Sequence, residues 1–63
     1  MLFAEDLLAY RTAFSLGHNQ PVIINEVRLN SLGEVLLDCE YQDVHGFSQN
    51  HFFHPDELTD YRT

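Results

Sequence analysis

Hydrophobic side chains recur along the first part of the chain with the period of an α-helix. Phe3, Leu7, Tyr10 and Phe14 stand at positions i, i+4, i+7 and i+11, and this spacing places them on one face of a helix. The glycine that follows this segment is a natural helix end. The pattern therefore predicts an amphipathic N-terminal helix over residues 2–16.

Two segments in which apolar and polar residues alternate come next, and they predict a β-hairpin. Residues 22–29 form the first strand and residues 34–41 the second, and Gly33 suits the left-handed position of a three-residue turn between them. This turn fixes a register in which every inward pair is apolar. The inward pairs are Leu29 with Val35, Val27 with Leu37, and Ile23 with Tyr41. Odd-numbered side chains of both strands are therefore expected to face the core.

A third strand is expected at residues 47–53, after a second turn. Two registers against the middle strand stay open, because consecutive phenylalanines satisfy either of them. One register sets Leu37 opposite His51, and the other sets Leu37 opposite Phe52. The third strand thus completes a three-stranded antiparallel meander.

A proline after the third strand predicts the last element. Pro55 ends the strand and suits the first turn of a short helix. The sequence thus predicts one α+β domain over residues 1–63, with an N-terminal helix packed on a three-stranded antiparallel meander and a short C-terminal helical turn. Turn-separated strands followed by a short helical turn also resemble small SH3-like barrels. That resemblance implies about five strands, more than the pattern predicts.

Acidity is the most informative bulk property of the chain. Ten acidic residues stand against three arginines and no lysine, for a formal net charge of −7. Binding to phosphate backbones needs clustered lysine and arginine, so direct nucleic-acid binding is disfavoured, as is attachment to an anionic membrane surface. A basic protein surface would instead be attracted to this chain. The charge can also serve solubility alone, and this alternative stays open.

Three further features set the expected location. The sequence lacks the long apolar run of a membrane span and the basic-then-apolar beginning of a secretory signal. The third is that no Asn-X-Ser/Thr glycosylation acceptor occurs. The single cysteine, Cys39, excludes an internal disulfide and does not indicate a compartment. We therefore expect a cytoplasmic protein.

Residues with reactive side chains form no catalytic motif. Cys39 lies on the apolar side of the predicted middle strand, between Asp38 and Glu40, where burial and nearby carboxylates raise the pKa of a thiol. The chain has no glycine-rich phosphate loop, and a domain of this size has little room for a substrate pocket. We therefore expect no enzymatic activity and no cofactor.

A zinc site is the alternative that the histidines raise. Cys39, His45, His51 and His54 are all zinc-competent ligand types, and Cys39 and His51 are expected as diagonal neighbours on adjacent strands. However, His51 and His54 point to opposite faces of a strand. The spacing therefore lacks the paired pattern of a zinc module, and no metal ligand is assigned.

The outward face of the predicted sheet combines carboxylates with apolar side chains. In the hairpin register Glu26 lies opposite Asp38 and Ile24 opposite Glu40, and like charges in direct cross-strand pairs cost stability. An apolar patch ringed by carboxylates is typical of an interaction surface. The predicted partner-binding residues are Ile24, Glu26, Leu36, Asp38, Glu40 and Phe52.

Size, acidity and the lack of catalytic motifs are similar to those of small phage and mobile-element proteins that inhibit host factors, including DNA mimics. This resemblance implies a protein partner that handles nucleic acid. The sequence thus predicts an acidic protein-interaction module, an inhibitor or adaptor, that docks on a basic protein surface. Two alternatives stay open: a homodimer formed by the same face, and the small zinc-binding domain.

Overall fold

The structure is a computed structural model that describes residues 7–63, and it contains one antiparallel β-sheet of five strands. The strand order across the sheet is β4-β3-β2-β1-β5. The strands are β1 (Thr12–Ser15), β2 (Gln20–Leu29), β3 (Val35–Gln42), β4 (Ser48–Phe53) and β5 (Leu58–Arg62), with a 3-10 turn (Pro55–Glu57) before β5. The predicted α+β class is therefore wrong, because residues 7–63 contain no helix of seven or more residues and are almost all β.

The last part of the predicted N-terminal helix is wrong: Thr12–Ser15 form β1, while Leu7 alone of the described residues is α-helical and a turn follows it. Residues 2–6 of the predicted helix lie outside the described range. In β1, Ala13 and Ser15 are buried while Thr12 and Phe14 are half-buried, which is the two-residue period of a strand. β1 lies between β2 and β5 and pairs with both. This pairing on both sides overrides the local helical spacing, which Phe14 had completed only by coincidence.

The hairpin of β2 and β3 is confirmed near its turn and wrong further away. The pairs Leu29–Val35 and Val27–Leu37 are observed, and Gly33 has a φ of 78° as the turn requires. Between Ile24 and Glu26 the register shifts by one residue, so Asn25 forms a β-bulge. An extra residue in one strand reverses which side chains face inward beyond it.

Because of the bulge, two observed cross-strand pairs differ from the predicted ones. Ile23 lies opposite Glu40 instead of Tyr41, and Ile24 lies opposite Cys39 instead of Glu40. Ile23 is consequently 50 % exposed, and Ile24 packs against the core. Leu29, which was also expected inward, lies beside the turn of the hairpin and is 66 % exposed.

Both registers proposed for the third strand are wrong. β4 sets Leu37 opposite Phe53 and Cys39 opposite His51. The difference arises in the connecting loop, where the Asp43 carboxylate accepts the backbone N–H groups of His45 at 2.9 Å and Phe47 at 3.0 Å. Desolvation acts to raise the pKa of Asp43, but its hydrogen bonds outweigh that effect and hold the pKa below the ordinary value.

The end of the chain contains a turn, as predicted, and then a strand that the pattern missed. The described residues form five strands, two more than the pattern predicted, with the 3-10 turn directly before β5. β5 escaped the sequence pattern because it is short and irregular, with Asp60 at a φ of 52°.

The core lies on the inward face of the sheet. Leu37 and Cys39 of β3 are both 0 % exposed, which confirms that the odd-numbered side chains of the middle strand face inward. The buried hydrophobic residues are Leu7, Ala13, Val22, Leu37, Cys39, Phe53 and Leu58. The even-numbered side chains of β3 are thereby placed on the opposite face.

Candidate functional site

The opposite face of β2, β3 and β4 is called the outer face here. Because Leu37 and Cys39 point into the core, the intervening residues of β3 point outward. Cross-strand pairing brings the neighbours on β2 and β4 to the same face. The side chains of the outer face are Ile23, Glu26, Arg28, Leu36, Asp38, Glu40, Asn50 and Phe52.

Five of the six predicted partner-binding residues share this face. Asp38 lies at its centre, opposite Glu26 on β2 and Phe52 on β4. Ile24 does not belong to it, because the bulge turns that side chain toward the core. Ile23 takes the outward position instead, opposite Glu40.

Arginine neutralises only one of the three carboxylates on the outer face. The Arg28 Nε atom donates to Glu26 Oε2 at 2.9 Å, and the two side chains form an exposed ion pair. The Arg28 guanidinium also lies 6.0 Å from the centre of the Phe52 ring, within cation–π range. Arg28 therefore interacts with Glu26 and Phe52 on this face.

The two carboxylates of β3 have no cationic partner among residues 7–63. The ion pairs of that range are Arg28 with Glu26 and Arg62 with Asp60. The Asn50 amide donates to Asp38 Oδ1 over 3.4 Å, a long hydrogen bond. Asp38 and Glu40 are half-buried, so each has lost part of its water shell without gaining a countercharge.

Apolar side chains flank these carboxylates. Phe52, beside Asp38, is 48 % exposed, and Ile23, beside Glu40, is 50 % exposed. A shallow depression of about 420 Å³ runs from Ile23 past Pro21 to Glu40. The sequence did not indicate that Ile23 and Pro21 belong to the outer face. Their outward orientation results from the bulge, which turns the odd-numbered residues at this end of β2 away from the core.

Cys39 is an inert core thiol. It is fully buried, and burial first, then the charge of Asp38, raises its pKa from 9.0 to about 12. Its cross-strand neighbour is His51. Nevertheless, residues 7–63 contain no group of three or more potential ligand side chains that could hold a metal ion, so the zinc alternative finds no ligand set in this range.

The Cys39 thiol is expected to resist alkylation in the folded protein. A pKa of about 12 instead of 9.0 makes the reactive thiolate about a thousandfold scarcer, and burial blocks access as well. Iodoacetamide labelling followed by mass spectrometry should give negligible modification in buffer and complete modification in concentrated urea. Rapid labelling without denaturant would show that Cys39 is accessible and contradict its place in the core.

A cluster of aromatic rings closes one end of the inward face. The His18 ring lies 4.4 Å from that of Tyr41 and 5.5 Å from that of Phe53, measured between ring centres. The buried hydroxyl of Ser15 lies 3.0 Å from His18 Nδ1, which fixes the imidazole in place. This cluster was not apparent from the sequence, because its members come from the β1–β2 turn, β3 and β4.

Comparison with protein-family models, with curated proteins and with solved structures finds no match to this chain. Within residues 7–63, no helix has the length and apolar character needed to cross a membrane. The outer face is therefore the feature of this chain that bears most directly on its function.

Proposed function

We propose that this protein is a non-enzymatic acidic interaction module of the cytoplasm, an inhibitor or adaptor that docks on a basic surface of another protein. The observation that carries the proposal is the pair of carboxylates on β3. Asp38 and Glu40 are half-buried and lack a cation within residues 7–63. A partner that supplies arginine or lysine would provide the missing countercharges.

The long-range field of the chain favours the same partner. A net charge of −7 attracts basic surfaces from a distance and increases the rate of encounter. Short-range specificity would come from the side chains around Asp38 and Glu40. Charge thus brings the partner close, and the outer face selects it.

The neighbouring apolar groups define the chemistry of the partner further. Phe52 and Ile23 offer exposed apolar area on either side of the carboxylates. Arginine fits this setting better than lysine, because its planar guanidinium binds carboxylates through two hydrogen bonds and stacks on aromatic rings. We therefore expect a partner surface that alternates arginine with apolar side chains.

A partner that handles nucleic acid would present such a surface. Proteins that hold phosphate backbones do so with clustered arginine and lysine, and an acidic module can occupy those groups in place of a phosphate chain. Because the module would compete with nucleic acid for these basic groups, it would act as an inhibitor of the partner. The resemblance to small inhibitors of phages and mobile elements supports it by analogy only.

Reversing the charge of the outer face is expected to abolish capture of the partner. The double substitution Asp38→Lys and Glu40→Lys changes the net charge by four, from −7 to −3, and places like charges against the basic partner. The measurement is affinity capture from a lysate of the native host, quantified by mass spectrometry for wild type and variant. Capture by wild type should also weaken as salt is raised, because exposed charges are screened.

A control variant matches this charge change at another place. Glu34→Lys with Asp56→Lys also gives −3, at exposed positions outside the outer face. This control should retain the captured protein, and circular dichroism should confirm that both variants are folded. Equal loss of capture in both variants would show that net charge alone causes the effect. Unchanged capture by the Asp38→Lys, Glu40→Lys variant would contradict the proposal.

A homodimer through the outer face has less support. Two copies joined there would bring the carboxylates of β3 in one copy against those of the other, and like charges at close range oppose association. The outer face is therefore assigned to a partner of different chemistry.

A further inference from the structure

The sheet has two edges, and only one of them carries features that discourage pairing with another strand. At the β5 edge, Asp60 has a φ of 52°, the β1–β5 register is broken between Thr12 and Phe14, and Arg62 pairs with Asp60. Irregular backbone and charge are the usual means of blocking an edge strand. The β5 edge is thus protected.

The β4 edge has none of these features. Its pairing with β3 continues without a break from Ser48 to Phe53, and the sequence SQNHFF contains no acidic residue, lysine, arginine or proline. The residues from Ser48 to Phe52 are all exposed. Among residues 7–63 no other strand pairs with this edge, which makes it a neutral, regular site for a further strand in a chain of net charge −7.

Antiparallel pairing determines which main-chain groups of β4 are free. The Asp43 N–H donates to the Phe47 carbonyl at the start of the hairpin, and hydrogen-bonded pairs alternate along an antiparallel ladder. The main-chain groups of Gln49 and His51 therefore point toward β3. Those of Ser48, Asn50 and Phe52 point away from the sheet.

We infer that β4 pairs with β4 of a second copy of this chain, antiparallel, across a two-fold axis at Asn50. This register sets Asn50 opposite Asn50 of the second copy and Ser48 opposite Phe52. It uses every outward N–H and carbonyl group of those three residues in each copy. The two sheets then join into one continuous sheet, and this inference is independent of the partner proposed for the outer face.

The absence of charge on β4 allows a second copy of this chain to pair with the β4 edge. No carboxylate lies on β4 itself, so none is placed directly across the new interface. The nearest carboxylates are those of Asp38 and Asp43, which accept hydrogen bonds from the Asn50 and Gln49 side chains of β4. The two β3 strands would be three strand spacings apart, about 14 Å, and salt screens exposed charges over about 8 Å.

An exposed aromatic ring adds a further argument. Phe47 directly precedes β4 and is 68 % exposed. In the inferred register it falls opposite Phe53 of the second copy, at the end of the paired segment. Association would therefore cover an apolar side chain that is exposed in the single chain.

Sedimentation velocity over protein concentrations from about 10 µM to about 1 mM tests the inference. Wild type should convert reversibly from monomer to dimer across this range. Asn50→Pro removes an outward donor from each copy and should weaken the dimer about tenfold or more, while an outward-facing proline is tolerated on an edge strand. A wild type that stays monomeric at the highest concentration overturns the inference.

Charge substitutions at the axis test the register without using proline. Asn50→Asp places like charges against each other and should abolish the dimer, whereas Thr59→Asp makes the same charge change on the β5 edge and should leave it intact. Mixing Asn50→Asp protein with Asn50→Lys protein should restore a heterodimer, because residue 50 faces its own counterpart only in this register.

Equal weakening by Asn50→Asp and Thr59→Asp, or a mixture that stays monomeric, would exclude pairing through β4. Capture of a basic partner through Asp38 and Glu40 is measured separately. Failure of the dimer therefore leaves the proposed function intact, and failure of capture leaves the dimer intact.

Discussion

Replacing Leu37 with alanine is expected to unfold most of the protein at 25 °C. Leu37 is fully buried in the central strand, with Val27 opposite it on β2 and Phe53 opposite it on β4. Truncating a buried leucine costs about 2–5 kcal/mol. A single core in a chain of this size rarely supplies more than about 3–5 kcal/mol of stability. The stability lost in Leu37→Ala is therefore comparable with the total free energy of unfolding.

Urea unfolding followed by circular dichroism measures this effect. The matched control is Leu32→Ala at the tip of the hairpin, where the leucine is 81 % exposed and its truncation should change the free energy of unfolding by less than about 0.5 kcal/mol. If both variants unfold at the same urea concentration as wild type, Leu37 does not lie in the core and the outer face is misplaced.

Substituting aspartate for Ala13 is the second change with a large expected effect, and it tests β1. Ala13 is 3 % exposed between β2 and β5, and a carboxylate there would be buried without a partner. Such a charge costs about 3–5 kcal/mol, again close to the total stability. The measurement is thermal or urea unfolding at neutral pH.

Phe14→Ser is the matched change on the other side of β1. Phe14 is only half-buried, so its loss should cost about 1–2 kcal/mol, less than the loss caused by Ala13→Asp. A helix with Phe14 on its buried face, as the spacing alone predicts, would reverse this order. A larger effect for Phe14→Ser would therefore contradict the strand.

The central hairpin was predictable because its information is local. Gly33 and the alternation along β3 set the turn and the inward residues, and the pairs from Leu29–Val35 to Glu26–Asp38 follow. β1 was not predictable in the same way, because residues 12–15 become a strand by pairing with β2 on one side and, on the other, with β5, which follows β2, β3 and β4 along the chain. Local spacing favoured a helix instead.

The candidate site was predictable in its charges and less so in its apolar part. The outward orientation of Asp38 and Glu40 follows from the alternation of side chains along β3 alone. Ile23 depends on the bulge at Asn25, and no glycine or proline at that position marks it. One extra residue moved Ile24 into the core and Ile23 out of it, because side chains alternate strictly along a strand.

Heteronuclear NMR of isotope-labelled protein, titrated with a short synthetic peptide that alternates arginine and leucine, tests the central claim most directly. The expected result is a set of shift changes largest at Asp38, Glu40 and Phe52, which disappears in the protein carrying Asp38→Lys and Glu40→Lys. Changes centred on the acidic side chains of Asp56, Glu57 and Asp60, or no saturable change at all, would contradict a basic partner docking on the outer face.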